Sequence, residues 1–430
     1  MKIIKNPDKK EWSKLLKRPA IKEKEIRRIV KPILKKVKEK GDKALRLFAF
    51  EYDHVELDNI LVSSSEIAGI EKNIDKDIRE AIKKAYKNIK KFHEAQMTDT
   101  LEVETTRGVI CKRKNVPIER VGLYVPGGSA PLFSTVLMLA IPAKIAGCKE
   151  IIICTPPDRN GKIHPLILYA AKLTGVDKIA KVGGAQAIGA LAYGTESVPK
   201  VDKIYGPGNQ YVTAAKQIVN QKGIAIDMPA GPSEVAVIAD HSANPEFIAS
   251  DLLSQAEHGI DSQVILISTN QDLIRKVIIE IKVLSKALPR KHIIEKSLLN
   301  SRFFLVENLD VAVDLSNAYA PEHLIISTEN CDALAEKIIN AGSVFLGNYT
   351  PESAGDYASG TNHTLPTYGY ARNHSGVSVD SFVKKITFQK ISITGLRNLG
   401  PAIELMAEKE ELEAHKLAIS IRLKNLKSND

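Results

Sequence analysis

The sequence predicts an α/β protein with two tandem Rossmann-like lobes on parallel sheets, plus helical N-terminal and C-terminal segments. Three observations predict it. From about residue 120, short apolar runs alternate with helical patterns; near residue 235 that rhythm begins afresh; the first hundred residues instead carry apolar side chains at helical spacing. Strands alternating with helices argue for a parallel sheet covered by helices. With 430 residues and 44% hydrophobic content, the chain can bury a real core and is too long for one ordinary domain.

In chain order, Ile26, Ile29, Val30, Ile33, Leu34 and Val37 predict a helix stopped at Gly41 and kinked or split at Pro32. Ile67, Ile70, Ile74, Ile78, Ile82 and Ile89 form a second stripe, which Ser63-Ser64-Ser65 can cap. Strands are expected at Val121–Val125, Ile151–Cys154, Lys178–Val182 and Lys203–Tyr205 in the first lobe. In the second they are expected at Val235–Ile238, Val264–Ile267, Phe303–Val306, Leu324–Ile326 and Val344–Leu346. Residues 349–376, rich in Gly, Ser, Thr, Asn, Tyr and His, fit neither lobe, and ordered irregular segments of that length are usually functional. The expected divisions are 1–105, mainly helical and packed on the lobes; 106–232, the first lobe; 233–380, the second lobe; and 381–430, a C-terminal helical segment. Open parallel sheets bind ligands beyond the carboxyl ends of their strands, so the site is expected there.

Composition excludes several classes. The net charge is +10, but lysines are mixed with glutamates, as in Lys22-Glu23-Lys24-Glu25, and no aromatic residues interleave with them. That is a solvated surface, not a nucleic-acid stripe. No window approaches the roughly 18 apolar residues that cross a bilayer. The basic opening Met1-Lys2-Ile3-Ile4-Lys5 leads into no apolar run, so a cytoplasmic protein is expected. The four cysteines, Cys111, Cys148, Cys154 and Cys331, form no C-x-x-C, which argues against a thiolate zinc site and fits reduced thiols.

Of ten histidines, His54, His93, His241 and His292 sit in polar, Lys-rich or turn-like surroundings and carry no functional signal, and His164, which precedes a helix, reads as a surface residue. Asn244-Pro245 starts a helix that Gly259 should stop, placing His258 in its final turn with Gln255 three residues earlier on the same face. An amide oxygen and an imidazole so spaced can hold one metal ion; equally, a last-turn His is favoured by the helix dipole. In Tyr319-Ala320-Pro321-Glu322-His323-Leu324 a carboxylate and an imidazole offer a base and a proton shuttle near neutral pH. Regular strand geometry would send them to opposite faces, so the turn at Pro321 must bend them together. By itself the dipeptide is no stronger than a chance polar pair. Asp356, among small residues, is a hard-to-borderline metal ligand, and His363 on the same loop could reach a substrate. Pro126-Gly127-Gly128, Gly183-Gly184 and Gly206-Pro207-Gly208-Asn209 each follow a strand of the first lobe. They suit a dinucleotide or simply make tight turns, since neither glycine-rich phosphate fingerprint is present.

Several long segments together resemble the histidinol dehydrogenase family. They are Gly122-Leu123-Tyr124-Val125-Pro126-Gly127-Gly128-Ser129-Ala130-Pro131, Val182-Gly183-Gly184-Ala185-Gln186-Ala187-Ile188, Tyr205-Gly206-Pro207-Gly208-Asn209 and Asp227-Met228-Pro229-Ala230-Gly231-Pro232-Ser233-Glu234. Asp251-Leu252-Leu253-Ser254-Gln255-Ala256-Glu257-His258-Gly259, Pro321-Glu322-His323-Leu324 and the 352–363 loop complete the set, from about residue 20 to the C-terminus. The resemblance implies a zinc enzyme that oxidises L-histidinol to L-histidine through L-histidinal, reducing two NAD, in the last steps of histidine biosynthesis. It implies one Zn2+ per subunit on Gln255, His258, Asp356 and His415, with Glu322 activating water and His323 shuttling protons. Further substrate contacts would be Ser233, His363 and Glu410, and NAD contacts Tyr124, Gln186 and Asn209. It also implies a homodimer whose C-terminal segment completes the partner's site. From the residues alone, a metal-dependent hydrolase with Glu322 as base stays open.

Overall fold

The computed structural model describes residues 3–19, 23–127, 130–229 and 231–427; Gly128, Ser129 and Ala230 of the motifs above lie outside them. The chain forms two compact units, one from Met1–Gln96 with Ile118–Ser381 and one from Met97–Pro117 with Phe382–Asp430.

The first unit holds both expected parallel sheets. In the five-stranded sheet the strands lie in the order Lys178–Lys181, Glu150–Thr155, Arg120–Tyr124, Lys203–Tyr205, Ala225–Ile226. The first of these in sequence is central; later strands add on one side and then on the other. The order therefore reverses beside Tyr124, which opens a crevice at the carboxyl ends there. The six-stranded sheet repeats the plan around Glu234–Ala239, in the order Ile3–Lys5, Arg302–Leu305, Gln263–Ser268, Glu234–Ala239, His323–Ser327, Ser343–Leu346. Its central strands are buried along their whole length, as parallel strands covered on both faces must be. The edge strand Ile3–Lys5 was not expected; three residues are too few to show a period.

Two expectations for the N-terminal segment need correction. The helix Glu23–Lys40 is not split at Pro32 but continues through it. Val30, Ile33, Leu34 and Val37 are buried against the helices Gly184–Tyr193 and Gln210–Asn220, and that packing offsets the hydrogen bond Pro32 removes. The isoleucine stripe is not one helix but three pieces, Ser64–Ile67, the 3-10 turn Ile70–Asn73, and Lys76–Glu94. Ser63 does cap the first, in a capping box with Glu66. Gly69 in the left-handed region and Asp75, whose side chain caps the last piece, make the breaks.

The second unit is a three-stranded antiparallel sheet, in the order Val383–Ile391, Val109–Pro117, Leu101–Thr106, with the helices Ile393–Lys409 and Glu413–Lys427. The strand opening the C-terminal segment was missed, because its lysines obscure the alternation at Ile386 and Phe388. Leu101, Val103, Ile386, Phe388, Ile391, Leu405 and Met406 are all exposed.

At the switch point of the smaller sheet, Gly206 adopts φ 121°, and a Cβ there would strike the Tyr124 carbonyl. Asp227 fixes this turn by accepting from the backbone N–H of Gly206 (2.8 Å) and of Met228 (2.7 Å). Lys216 pairs with Asp227 and donates to the Gly206 carbonyl (3.0 Å), and both charged groups are buried. Removing one partner of a buried pair strands the other charge, so Lys216→Met should cost about 3–5 kcal/mol in urea unfolding. The double change Lys216→Met with Asp227→Leu should recover much of the loss; equal losses in both variants would show that the pair is not what holds the turn.

Candidate functional site

The chemistry gathers at the amino ends of the larger sheet, not at the carboxyl ends expected for an open parallel sheet. Glu234 is the first residue of the central strand and His323 the first of its neighbour, with His323 in register with Val235. Helix Leu309–Tyr319 ends at Ala320 in the left-handed conformation, and Pro321 follows. This is the bend the dipeptide needs: Glu322 Oε2 lies 3.7 Å from His323 Nδ1, with both side chains nearly buried. Glu322 Oε2 accepts from the Glu234 N–H (2.8 Å), and His323 Nδ1 lies 3.3 Å from the Glu234 carbonyl oxygen. His323 Nε2 is buried, 3.4 Å from Asp356 Oδ1, without a well-directed hydrogen bond.

The Glu234 side chain anchors this arrangement. Arg18 grips its carboxylate with Nε and Nη2 (2.8 Å for Nη2 to Oε2), and the Tyr368 N–H donates to Oε1 (2.9 Å). Arg18 Nη2 also donates to the carbonyls of Tyr319 (2.9 Å) and Ala320 (3.2 Å), and its guanidinium lies 4.0 Å from the centre of the Tyr319 ring. One side chain thus holds both the strand end and the turn that presents Glu322. Nothing in the sequence singles out Arg18, because its partners are more than two hundred residues away.

Gln255 lies in the last turn of helix Pro245–Ala256. His258 was expected in that turn and instead follows it; the helix closes at Ala256, with the Glu257 N–H bonded to the carbonyls of Leu253 and Gln255. The irregular 349–376 segment contains a short helix, Glu352–Tyr357. His258, Glu352 and Asp356 place donor atoms within 4.8 Å of one another, so three of these side chains could share one cation. Glu352 was not singled out beforehand. Its signal was its spacing, since residues four apart on a helix share a face with Asp356, but the Gly- and Ser-rich text reads as loop. The Gln255 amide fits in two ways. In one, its nitrogen donates to Glu322 Oε2 (3.3 Å). In the other, it donates to Glu352 Oε1 (2.6 Å) and accepts from the Glu234 N–H (2.9 Å). The first turns two acceptor oxygens toward each other, as a shared cation requires; the second satisfies the protein alone.

His363 is held by Asp356, whose carbonyl oxygen lies 3.0 Å from Nδ1, and by Thr135, whose Oγ1 lies 3.3 Å from Nε2. Neighbouring Asn362 donates to the Met138 carbonyl (2.6 Å) and lies 3.4 Å from His93 Nε2. His93, set aside in the sequence for its polar surroundings, is fully buried; its Nδ1 is satisfied by the Ile89 carbonyl (2.8 Å), so it is a core histidine. Ser233 immediately precedes the central strand, and its carbonyl accepts from the Gln263 N–H. Glu410 caps helix Ile393–Lys409 and His415 lies on helix Glu413–Lys427, both exposed within the second unit.

A cleft of about 1250 Å³ opens at the carboxyl ends of the smaller sheet, lined by Tyr124, Gly127, Gln186 and Asn209 among others. The Asn209 side chain caps helix Gln210–Asn220, accepting from the N–H groups of Tyr211 and Val212. The Tyr124 hydroxyl accepts from the Gly184 N–H (3.1 Å).

The family model for histidinol dehydrogenase matches residues 16–423. The chain belongs to the histidinol dehydrogenase family. It is 59% identical over 427 residues to histidinol dehydrogenase of Bacteroides thetaiotaomicron, covering 99% of this chain and all of that one. It is 54% identical over 428 residues to the Campylobacter jejuni enzyme, covering 99% of each chain. The crystal structure of histidinol dehydrogenase from Elizabethkingia anophelis superposes with a TM-score of 0.97, at 55% identity and 99% coverage of both chains. As a member of the histidinol dehydrogenase family the protein is a dehydrogenase, which sets aside the hydrolase reading, and none of its described helices is long and apolar enough to cross a membrane.

Electrostatics bind the cluster together. Burial pushes the Glu322 carboxyl up to about 8 and that of Glu352 also to about 8, each against the pull of His323. For His323, burial acts downward, but Glu352, Glu322 and Asp356 outweigh it and raise the imidazole to about 10. Burial also acts to raise Asp356, yet the adjacent His323 holds it below the usual carboxylate range. Three carboxylates around one imidazole form an acidic donor set suited to a divalent cation.

Arg18→Met should lower stability by about 3–5 kcal/mol, since Glu234 would remain buried without its cation. Arg18→Lys should recover only part of this, because an ammonium cannot reproduce the two-pronged contact. Urea midpoints measure both; a lysine variant as stable as the parent would show that the fork geometry is unimportant.

Proposed function

We propose that this protein carries out the four-electron oxidation of L-histidinol to L-histidine through L-histidinal, using zinc and NAD, as a cytoplasmic homodimer with shared sites. The observation that carries the reading is the placement of Glu322 and His323 side by side against the Gln255, His258, Glu352 and Asp356 donor set. Family membership supplies the substrate and the pathway.

Gln255, His258 and Asp356 would hold zinc from one subunit, with His415 of the partner subunit as the fourth ligand. Nitrogen and oxygen donors of this kind suit zinc, and the two opposed oxygens of Gln255 and Glu352 fit a cation between them. When bound, zinc would hold the imidazole and amine nitrogens of the substrate and so fix the reacting carbon. Ser233, His363 and Glu410 would complete the substrate pocket. Tyr124, Gln186 and Asn209 would contact NAD in the switch-point cleft, where an open α/β sheet binds its ligand. When bound, NAD would accept hydride in each of the two oxidations.

The anions around His323 by themselves hold it protonated; a divalent cation among them would offset that hold and leave His323 neutral, able to take the hydroxyl proton of histidinol in the first oxidation. Glu322 then takes a proton from the water that attacks the aldehyde carbon, and the hydrate is oxidised in its turn. Positioned general bases of this kind are worth about 10²–10⁴-fold in rate. Asp356 and Glu322 flank the imidazole and stabilise its charged form once it holds the proton.

The dimer is supported by the second unit, whose small sheet and two helices leave a row of large apolar side chains uncovered. A three-stranded sheet with so little buried around it suits burial against a second copy.

Glu322→Gln should slow oxidation of histidinal by about 10²-fold or more while slowing oxidation of histidinol far less. Reduced-nicotinamide absorbance with each substrate supplied separately measures the two steps; equal losses in both would remove Glu322 from the water-activating role. Mixing Glu322→Gln and His415→Ala proteins, with exchange of subunits, should restore oxidation of histidinal, because the mixed dimer contains one intact shared site. Continued inactivity after exchange would place His415 in its own subunit's site.

A further inference from the structure

One wall of the switch-point cleft comes from the N-terminal segment, and its chemistry is not used by the reading above. Residues Ala49–Asp53 form a π-helical turn, a rare form that is frequent at functional sites. The turn ends at His54 in the left-handed region (φ 56°), an uncommon conformation for a residue other than glycine. Its last two residues, Tyr52 and Asp53, line the cleft together with Tyr124, Gln186 and Asn209. The Tyr52 ring is half exposed. Asp53 Oδ2 is buried and, among the described residues, accepts no hydrogen bond. Burial pushes the Asp53 carboxyl up to about 6.

Buried side-chain oxygens in folded proteins nearly always have a donor, so an orphan on the wall of a cleft points to a donor brought by a ligand. Ribose carries two adjacent hydroxyls, the pair that a single carboxylate takes in dinucleotide-binding folds. In many such folds that acidic residue follows the second strand of the sheet; here it would arrive on a separate helical segment.

We propose that Asp53 accepts hydrogen bonds from the 2′- and 3′-hydroxyls of the adenosine ribose of NAD, that Tyr52 lies against the adenine, and that Asp53 makes the cleft reject a 2′-phosphate. This rests on the reading of the cleft as the NAD site. A hydroxyl donating to a carboxylate gains a charge-assisted hydrogen bond, whereas a phosphate there meets a like charge. Arg159 and Lys162 also line the cleft and would attract a 2′-phosphate. Both are exposed and screened by water, while Asp53 is partly desolvated, so the carboxylate has the larger effect.

The test is equilibrium titration of the full-length protein with NADH and with NADPH, read by nicotinamide fluorescence. The parent protein should bind NADPH about 100-fold more weakly than NADH, and Asp53→Asn should weaken NADH about tenfold and bring the two ligands within about tenfold of each other. The ratio of the two affinities is insensitive to partial misfolding, which removes sites for both ligands alike. The proposal is overturned if the parent binds both ligands equally. It is also overturned if Asp53→Asn leaves the ratio unchanged, even with NADH weakened, because the carboxylate would then face a different part of the dinucleotide. If NADH binds the parent but the ratio does not respond to Asp53, the NAD cleft stands and only this inference falls. If NADH does not bind the parent at all, the reading of the cleft fails and takes the inference with it.

Discussion

The Glu234 carboxylate is almost completely buried at the start of the central strand, and the grip of Arg18 upon it is the constraint on which the rest of the site depends. A charge in that position is tolerated only when paired and hydrogen-bonded. Arg18 meets both needs and spends its remaining donors on the carbonyls of Tyr319 and Ala320, the residues that turn the chain toward Glu322. The backbone of Glu234 then fixes the pair directly, through its N–H to Glu322 and its carbonyl beside His323. The pair is positioned by an ion pair whose members carry no reacting atoms.

The two lobes share a strand plan and use opposite ends of it. In the smaller sheet the cleft lies at the carboxyl ends beside the reversal of strand order, where the buried Lys216–Asp227 pair fixes the Gly206 turn. In the larger sheet the reactive side chains collect at the amino ends, where strand-initiating residues have side chains and backbone groups free to serve a site. His363 connects the two lobes through its contact with Thr135 on helix Phe133–Ala146. That helix is apolar and buried around its whole circumference, so it gives the irregular 349–376 segment a rigid support.

Charge explains the composition of the cluster. Glu322, Glu352 and Asp356 surround His323 in a largely buried cluster, and each anion there raises the cost of ionising the next. Such an arrangement is costly for stability alone and useful where a cation and proton transfers are handled together.

Much was legible in the sequence. The βα rhythm identified both sheets because parallel strands buried on two faces are continuous apolar runs, and long motifs around Gln255, His258, Pro321-Glu322-His323 and Asp356 identified the family. Local spacing could not show Arg18, Glu352 acting beside Gln255, or His93 as a core residue, since each acquires its role from partners far away in the chain. It also pointed to the carboxyl ends of the strands, where the cleft of the smaller sheet opens, whereas the cluster of the larger sheet lies at the amino ends. The sequence by itself determined which residues could do the chemistry, because residue type and period are local properties. Which of them meet, and at which end of a sheet, was decided only by the tertiary structure, because burial and pairing of charge depend on contacts that no local pattern records.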